Sequence, residues 1–507
     1  MKRRVSIALA FRDMWQSACC NFPPVARLKE LACAVVDMGC FDRVETNGGA
    51  FEQLCLMEGC NPNEAVRELT SVFKGAGIGA QMLERGLSAL RMNPVPLDVR
   101  ELMFKVKAAQ GVDVVRSFCG LNDHRNLRYS VLYAKISGMI SQVALPIANS
   151  PVHTIGHYMR TVDYAVGCGC DEICIKDMSG QGDPSFMAEL VRSIKLSYPH
   201  VPVWYHGHCG VRNPKEALLE VVRAGADGVD VAIGPLSGGA AHPDVVEVVQ
   251  WLKEDGFAVK DVDMEAYSSM VALLQKTLSD SLASISSLNC LQGDSDARNA
   301  LSTAGLPGGM IASLMGSLPD YHAACNADSD TFPKLTFGQF LSCFADEVAS
   351  VWPALGYPPK VTPYSQYVAN AALSNLLAAS KGKARWSELS PDVWNMILGR
   401  MGKLPGELDR ELISLAGERG FEFYDGDPQE LYPDSLDRYR TQMLAEGWPF
   451  GSDEEDLLEF SMHEMQYREY MAGRLSSCLG IQDSKSVVVD DAVYAAIAMA
   501  LHEYLND

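Results

Sequence analysis

The chain has 507 residues, of which 48% are hydrophobic and 21% are charged, and its formal net charge is -21 at neutral pH. This length suffices for a large enzyme domain with additional domains, and no apolar run is long enough to span a bilayer. The negative charge argues against nucleic acid or an anionic membrane as a partner, because phosphate binding depends on clustered lysine and arginine. We therefore expect a globular protein, without membrane insertion, that acts on small molecules or with other proteins.

The first residues, MKRRVSIALAF, imitate a signal peptide only in part. Their apolar stretch of about seven residues ends at Arg12 and Asp13, which is too short for the hydrophobic region of a signal peptide. The 15 cysteines are scattered through apolar segments such as LACAVV and EICIKD, which favours reduced core thiols over disulfides. Both features predict a cytoplasmic protein.

Short β-rich runs, each followed by a helix-like stretch, recur through the first half of the chain. They are VSIALA (5–10), RVETNGG (43–49), GAQMLERG (79–86), VDVVRSF (112–118), SQVALPIA (141–148), EICIKDM (172–178), VPVWYHG (201–207) and GVDVAIG (228–234). Eight βα units with near-continuous apolar strands predict an α/β fold, a closed parallel (β/α)8 barrel of the TIM type. The run GAGIG (75–79) precedes a strand instead of following one, so it predicts a turn and not a dinucleotide-binding loop.

Polar side chains follow several of these strands, at the barrel end where such folds carry out their chemistry. They are Arg12 and Asp13 after strand 1, Arg85 on strand 3, Asn122 and Asp123 after strand 4, Lys176 and Asp177 on strand 6, and His206 and His208 on strand 7. Residues two apart in a strand point the same way, so both imidazoles of HGH are expected to face the barrel mouth. Two histidines and a carboxylate are ligands that a divalent transition metal favours.

Each of these residues also has a simpler interpretation. H-x-H alone is weak evidence for a metal, because a histidine at a strand end is more often a hydrogen-bonded structural residue. Asp13 could cap a helix, and Arg85 could form an ion pair at the barrel rim. A lysine and a carboxylate at other strand ends of the same barrel favour the metal site.

Eight short motifs occur in order along the barrel: RDMWQS (12–17), GGAF (48–51), LERG (83–86), LNDHRNL (121–127), NSPVHT (149–154), CIKDMSG (174–180), HGH (206–208) and SGGAAHP (237–243). In this combination the chain resembles the biotin-dependent carboxyltransferases. That family includes the carboxyltransferase of pyruvate carboxylase, the α subunit of oxaloacetate decarboxylase and the large non-biotinylated subunit of transcarboxylase. Further segments, LPGGMIASL (306–314), LGYPPKVTPYSQYVANAALSNLL (355–377) and GRMGKLPGELD (399–409), look like the helical domain that follows the barrel in these enzymes.

The resemblance implies a barrel domain over residues 1–285, a mainly helical domain capping it over 286–474, and a linker with a docking helix over 475–507. It also implies roles for site residues. Asp13, His206 and His208 would bind a divalent ion, Zn, Mn or Co, with Lys176 as the fourth ligand after carbamylation by CO2. Arg85 would hold the substrate carboxylate, with Gln16 and Arg12 assisting and Glu52 near the substrate. The ion and Arg85 would polarise a 2-oxo acid so that an enolate forms or collapses.

Several positions depart from the family pattern, among them Cys119, Trp15 and Ala8, and three further ones concern the substrate and biotin. Ala240 stands where the family usually carries a threonine that shuttles a proton between biotin and the enolate. Met92 replaces an expected tyrosine, and Glu52 lies near where an aspartate is expected. The metal ligands are retained, whereas the substrate surroundings have changed.

The resemblance also implies partners. A biotinyl lysine between methionines is absent, so biotin is expected on a separate carrier protein in a multi-subunit complex, and a homodimer through the barrels is implied. The C-terminal run VVVDDAVYAAIAMALHEYLND predicts a helix capped by Asp490 or Asp491. Its apolar side comprises Val493, Ile497, Leu501 and Leu505. It resembles helices that dock partner subunits, and an ordinary C-terminal helix on its own domain is an equal alternative.

These features predict an enzyme, a carboxyltransferase or decarboxylase subunit that moves CO2 between a 2-oxo acid of the oxaloacetate or pyruvate type and biotin. Two alternatives remain open at this point. One is a biotin-independent, metal-dependent lyase or aldolase acting on a 2-oxo acid. The other is a catalytically lapsed scaffold that keeps the barrel and its assembly surfaces.

Overall fold

The computed structural model describes residues 2–18, 22–210, 212–282, 301, 304–306, 308–327, 334–447 and 453–478. Eight parallel strands close into a barrel in chain order, which confirms the predicted (β/α)8 fold. The strands are β1 (Ser6–Leu9), β2 (Arg43–Gly48), β3 (Gly79–Glu84), β4 (Val114–Phe118), β5 (Ile140–Pro146), β6 (Glu172–Asp177), β7 (Val203–Gly207) and β8 (Gly228–Val231).

Helices surround the barrel and continue beyond it. In the barrel region they are α1 (Phe11–Ser17), α2 (Val25–Asp37), α3 (Phe51–Met57), α4 (Pro62–Gly75), α5 (Leu97–Ala109), α6 (Arg128–Ile136), α7 (Ile155–Gly167), α8 (Pro184–Ser197), α9 (Pro214–Ala224), α10 (Val245–Glu254) and α11 (Met264–Leu282). The later helices are α12 (Gly308–Ala327), α13 (Phe337–Ala354), α14 (Tyr364–Ser380), α15 (Pro391–Ile397), α16 (Arg410–Glu418), α17 (Leu436–Ala445) and α18 (Glu454–Cys478). Within the described residues, none of these helices is long and apolar enough to cross a membrane.

Local sequence sets where several barrel helices begin. Helices α4, α8 and α9 each start with an Asn or Asp whose side chain accepts a backbone N–H of the first turn, followed at once by proline. The capping residues are Asn61, Asp183 and Asn213. The cap satisfies a free donor, and proline is tolerated there because the first-turn N–H groups have no partner inside the helix. These starts hold the barrel helices in register with the strands that they follow.

The barrel interior is filled by charged pairs as well as apolar side chains. Arg43 on β2 pairs with Glu172 on β6 at 2.8 Å, and its guanidinium lies 4.3 Å from the ring centre of Trp204 on β7. Arg116 on β4 pairs with Asp230 on β8. These charges are buried but matched, so each avoids the cost of an unpaired buried ion.

The helical region after the barrel packs against the barrel mouth. Val361 joins the apolar cluster of the barrel interior, which includes Leu83 and Phe118. The ring of Tyr364 lies so close to Gly120 that a Cβ at that glycine would meet it at 2.4 Å. Helix α18 packs on α3 and α5 at the side of the barrel. A helical region following the barrel is therefore confirmed.

These observations do not test the other predictions about domains. The boundaries at 285 and 474 stay predictions. The C-terminal docking helix and most of its linker, residues 479–507, lie outside the described residues.

Candidate metal and substrate site

Five polar side chains converge at the carboxyl end of the barrel, and all are buried. Asp13 comes from α1, which begins two residues after β1 ends. Lys176 lies on β6, His206 on β7, and His208 directly after β7. The fifth, His242, lies in the loop between β8 and α10. The structure therefore brings together the four predicted metal residues and adds one that sequence analysis did not assign.

The donor atoms of the three histidines and Asp13 lie within 4.8 Å of one another. Asp13 Oδ2 is 3.1 Å from His242 Nε2, 3.2 Å from His208 Nε2 and 3.7 Å from His206 Nε2. Lys176 Nζ lies 2.9 Å from His206 Nε2. Imidazole nitrogens and a carboxylate oxygen in this arrangement fit a divalent transition metal.

Asp13 is held as an anion at the centre of this group. It does not cap its helix, because Ala10 is the N-cap residue of α1 and makes no side-chain capping bond. Burial acts to raise the pKa of the Asp13 carboxyl, but the adjacent Arg12 guanidinium acts in the opposite direction, and the pKa lies well below its usual range. A buried carboxylate in this state is a suitable metal ligand.

Groups behind the cluster orient two of the histidines. His206 Nδ1 lies 2.6 Å from Asp230, and His208 Nδ1 donates to the Ala240 carbonyl at 2.6 Å. Burial opposes ionisation of Asp230, but its pair with Arg116 lowers the pKa of Asp230 below its ordinary value. Carboxylate and carbonyl partners of this kind fix the imidazole tautomer and direct the other ring nitrogen toward a metal.

Lys176 has the environment of a reactive amine. Burial lowers the pKa of Lys176 to about 8, although Asp13 and Glu45 act in the opposite direction. A substantial fraction of the side chain is then neutral near physiological pH, and only the neutral amine is a nucleophile.

A cavity of about 200 Å³ opens beside the cluster. Its floor and walls come from the barrel and its roof from the helical region. The barrel residues are Arg12, Asp13, Gln16, Ser17, Ala50, Leu83, Arg85, Met92, Phe118, Lys176, Met178 and His208, and the later residues are Leu314, Val361, Thr362, Ser365 and Gln366. The size and enclosure suit a small polar molecule.

Arg85 is the cavity residue best suited to bind an anion. Its Nη1 donates to the backbone carbonyls of Leu90 and Arg91, and its buried Nε has no hydrogen-bond partner among the described residues. Arg85 makes no ion pair with any residue in the described ranges, so it is not a rim ion pair. Burial, together with repulsion from Arg12, lowers the pKa of Arg85 to about 10. A buried guanidinium with free donors favours a carboxylate ligand.

Arg12 has different partners from Arg85, although both line the cavity, and its assistance in substrate binding stays a prediction. Its Nε donates to Glu45 at 2.8 Å, and its Nη2 donates to Asp13 Oδ1 at 3.0 Å. Its Nη1 donates to Gln16 Oε1. Arg12 is thus neutralised by two carboxylates, and it fixes the orientation of both Asp13 and Gln16.

Glu52 is fully buried but is not among the cavity-lining residues of the described chain. Its carboxylate accepts from Asn47 Nδ2 at 3.0 Å and lies 3.5 Å from Lys107 Nζ. Lys107 in turn lies 3.8 Å from Glu459 of α18. Glu52 therefore belongs to a buried charge network behind the cavity, and substrate contact by Glu52 stays a prediction.

The combined arrangement is that of an enzyme: a TIM barrel whose mouth holds a candidate metal centre, a lysine and an unpaired arginine in one enclosed cavity.

Residues 333–499 match the family model described as a conserved carboxylase domain. The chain is 29% identical over 474 residues to a subunit of pyruvate carboxylase from Methanocaldococcus jannaschii, covering 92% of this chain and 77% of that protein.

Two further comparisons also match carboxyltransferases. The chain is 25% identical over 440 residues to the methylmalonyl-CoA carboxyltransferase 5S subunit of Propionibacterium freudenreichii subsp. shermanii, covering 85% of this chain and 80% of that protein. The solved carboxyl transferase domain of Rhizobium etli pyruvate carboxylase has a TM-score of 0.78 at 19% identity, covering 97% of this chain and 80% of that one. The last match confirms the fold. These matches confirm the resemblance to biotin-dependent carboxyltransferases that the motifs predicted.

Proposed function

We propose that the chain is a carboxyltransferase subunit that moves CO2 between a 2-oxo acid of the oxaloacetate or pyruvate type and biotin on a separate carrier protein. The observation that carries this proposal is the unpaired, buried Arg85 in the same cavity as Lys176 and the Asp13 cluster. A cation that lacks a protein counter-ion and a cluster suited to a divalent ion match the two ends of a small 2-oxo acid.

The substrate class is supported by relatives as well as by the cavity. Two of them are named as a subunit of pyruvate carboxylase and the large subunit of 2-oxoglutarate carboxylase. The second, from Hydrogenobacter thermophilus, is 25% identical to the chain over 457 residues. Arg85 would grip the substrate carboxylate with its free N–H groups. The apolar side chains of Met92, Phe118 and Val361 would exclude water from the reacting carbon.

Asp13, His206 and His208 would hold the divalent ion, and Lys176 would add an anionic oxygen ligand after carbamylation. When bound, the ion supplies a Lewis acid beside the substrate carbonyl. Arg12 keeps the Asp13 carboxylate in position. Asp230 and the Ala240 carbonyl keep His206 and His208 in theirs.

Partners follow from the same proposal. The relatives are named as subunits, which supports a complex with a biotin carrier protein, and a homodimer through the barrels is part of the proposal. The cavity would receive biotin from that carrier only transiently.

The decisive experiment measures oxaloacetate decarboxylation by the full chain loaded with Zn, Mn or Co, with and without free biotin. We expect biotin to raise the rate at least about tenfold, and Arg85→Gln to lower kcat/KM of the biotin-dependent reaction by about 100- to 1000-fold. Equal rates in both conditions would exclude CO2 transfer to biotin.

A biotin-independent lyase or aldolase is the second candidate, and Ala240 favours it. An alanine side chain cannot carry a proton between biotin and an enolate, so the proton route assumed for transfer is altered here. Two results would support this candidate. One is oxaloacetate decarboxylation at a rate that does not depend on biotin, and the other is aldol cleavage of a 4-hydroxy-2-oxo acid. Absence of both activities in the metal-loaded protein would favour the scaffold alternative.

A further inference from the structure

We infer that His242 is a ligand of the same divalent ion, so that the ion is held by four protein donors: Asp13, His206, His208 and His242. This inference deepens the proposed function, because it concerns the ion proposed there. It follows from the geometry around His242 Nε2 and from the hydrogen bonds made by the other side of the ring.

The spacing of the donor atoms fits one coordination shell. Ligand atoms around a tetrahedral ion with bonds of about 2.0–2.1 Å lie roughly 3.3 Å apart. Asp13 Oδ2 lies 3.1 Å from His242 Nε2 and 3.2 Å from His208 Nε2, and the Nε2 atoms of His206 and His208 lie 3.3 Å apart. The separation of His206 Nε2 from Asp13 Oδ2, 3.7 Å, is only slightly larger. His242 Nε2 therefore lies as close to Asp13 Oδ2 as His208 Nε2 does, and the donor atoms of all four residues lie within 4.8 Å of one another.

The backbone fixes the direction of the His242 ring. His242 Nδ1 donates to the Gly207 carbonyl at 2.8 Å, just as His208 Nδ1 donates to the Ala240 carbonyl. The His242 loop is itself tied to the end of β7, where Cys209 N donates to the Ala241 carbonyl and Gly210 N to the Gly239 carbonyl. All three imidazoles thus have Nδ1 engaged outside the cluster and present Nε2 to its centre.

Counting protons shows why a cation belongs at that centre. A neutral imidazole carries one N–H, and a carbonyl oxygen can only accept. His208 and His242 must therefore place their proton on Nδ1, which leaves each Nε2 lone pair facing the Asp13 carboxylate at 3.1–3.2 Å. Lone pairs facing an anion repel, whereas a shared metal ion makes all of these contacts favourable.

A consequence for Lys176 follows. With four protein donors available, the ion is retained whether or not Lys176 is carbamylated. Carbamylation then adds a further ligand beside the substrate instead of completing the site.

Metal binding by the full-length protein tests this inference without measuring turnover. Protein freed of metal with a chelator is titrated with Zn and with Co against a competing chromophoric chelator, in CO2-free buffer and with added bicarbonate. We expect about one ion per chain, and an affinity that differs less than threefold between the two buffers. Loss of the ion in CO2-free buffer would overturn the independence from Lys176 carbamylation.

The variant His242→Gln removes the nitrogen donor and keeps a polar side chain. We expect its Zn affinity to fall at least about 100-fold, since loss of a group that merely orients a ligand already costs about 10- to 100-fold. The visible absorption of the Co-loaded protein should also shift. His153→Gln is the matched control, because His153 is buried, bonds to Ser150 and lies away from the cluster. Unchanged affinity and spectrum in His242→Gln would overturn the inference.

A measurement on the wild-type protein covers the case in which His242→Gln does not fold. X-ray absorption of the Zn-loaded protein counts coordinated imidazoles, and we expect three. A count of two with about one Zn bound contradicts only the role of His242. A wild-type protein that binds no ion contradicts both this inference and the metal centre of the proposed function.

Discussion

The two ends of the cavity differ in how completely their polar groups are satisfied. At the metal end, every imidazole is fixed through Nδ1, and Asp13 is fixed by Arg12. At the other end, Arg85 is buried with free donors and no counter-ion among the described residues. Under the proposed function, the first end would hold an ion that stays bound, and the second would bind the substrate anion during each turnover. Burying a charge without a partner is costly, so the unpaired end marks where substrate supplies the missing charge.

The largest effect is expected from Arg85→Gln. Loss of two charge-assisted hydrogen bonds to the substrate carboxylate should lower kcat/KM by about 100- to 1000-fold, mainly through KM. Because the removed charge is unpaired in the free protein, the melting temperature should stay the same or rise. Steady-state kinetics and thermal unfolding check both parts. A clear fall in stability would indicate that the bonds from Arg85 to the Leu90 and Arg91 carbonyls outweigh the cost of burying its charge, and the contrast between the two ends would fail.

Asp230→Asn tests the metal end. Losing the carboxylate behind His206 should weaken metal binding by about 10- to 100-fold. It should also leave Arg116 without its buried partner, which costs about 3–5 kcal/mol of folding free energy. Competition with a chelator and denaturant unfolding measure the two effects separately. Wild-type metal affinity in a folded Asp230→Asn protein would show that the outer partner of His206 is dispensable.

The charge network behind Arg85 predicts a pH dependence of stability. Burial raises the pKa of Glu459 to about 7, although Lys107 acts in the opposite direction. Because this pKa exceeds the unfolded value of about 4.3, the folded state binds the extra proton, and the free energy of unfolding falls by up to about 3 kcal/mol as pH rises from 4 to 7.

Glu459→Gln should remove most of that fall, since Lys107 keeps Glu52 as its partner. Denaturant unfolding at several pH values compares the wild-type chain with this variant. Glu418→Gln, at an exposed position of α16, is the control and should follow the wild-type curve. If the free energy of unfolding changes with pH in parallel for Glu459→Gln and the wild-type chain, Glu459 is not the group that binds the extra proton in the folded state.

The smallest effect is expected from Glu52→Gln. Because Glu52 contacts Asn47 and Lys107 behind the cavity, its loss should change kcat/KM only by a few-fold through a weaker field at Arg85. The pKa of Glu459 should fall, since one carboxylate near it is removed. A loss of activity as large as that of Arg85→Gln would instead support direct substrate contact by Glu52.

Much of the fold could be predicted because its signals are local. Each barrel strand is a short apolar run, and strand-end positions such as His206 and His208 follow from alternation along the strand. His242 could not be assigned to the metal site from the sequence, because it lies in a loop without periodicity. The path of that loop depends on backbone hydrogen bonds to Cys209 and Gly210. A histidine after the last barrel strand was the available signal.

Glu52 illustrates a second reason why the site could not be predicted in full from the sequence. Its position directly after the GGAF segment indicated the substrate, but its contacts are with Lys107 and, through it, Glu459, far along the chain. Long-range pairing of buried charges depends on how α18 packs against α3 and α5, and no local pattern in the sequence records that packing.

The roof of the cavity has a consequence for how this enzyme could change its substrate. Leu314, Val361, Thr362, Ser365 and Gln366 close the space above the barrel mouth, and the candidate metal residues all precede them in the chain. If the substrate is the proposed 2-oxo acid, its acceptable length can therefore be adjusted by side chains other than Arg85 and the candidate metal residues. The preference for the length of the acid and the chemistry at the candidate metal centre would then depend on different segments of the chain. Substitutions in the roof could change the first while the second is retained.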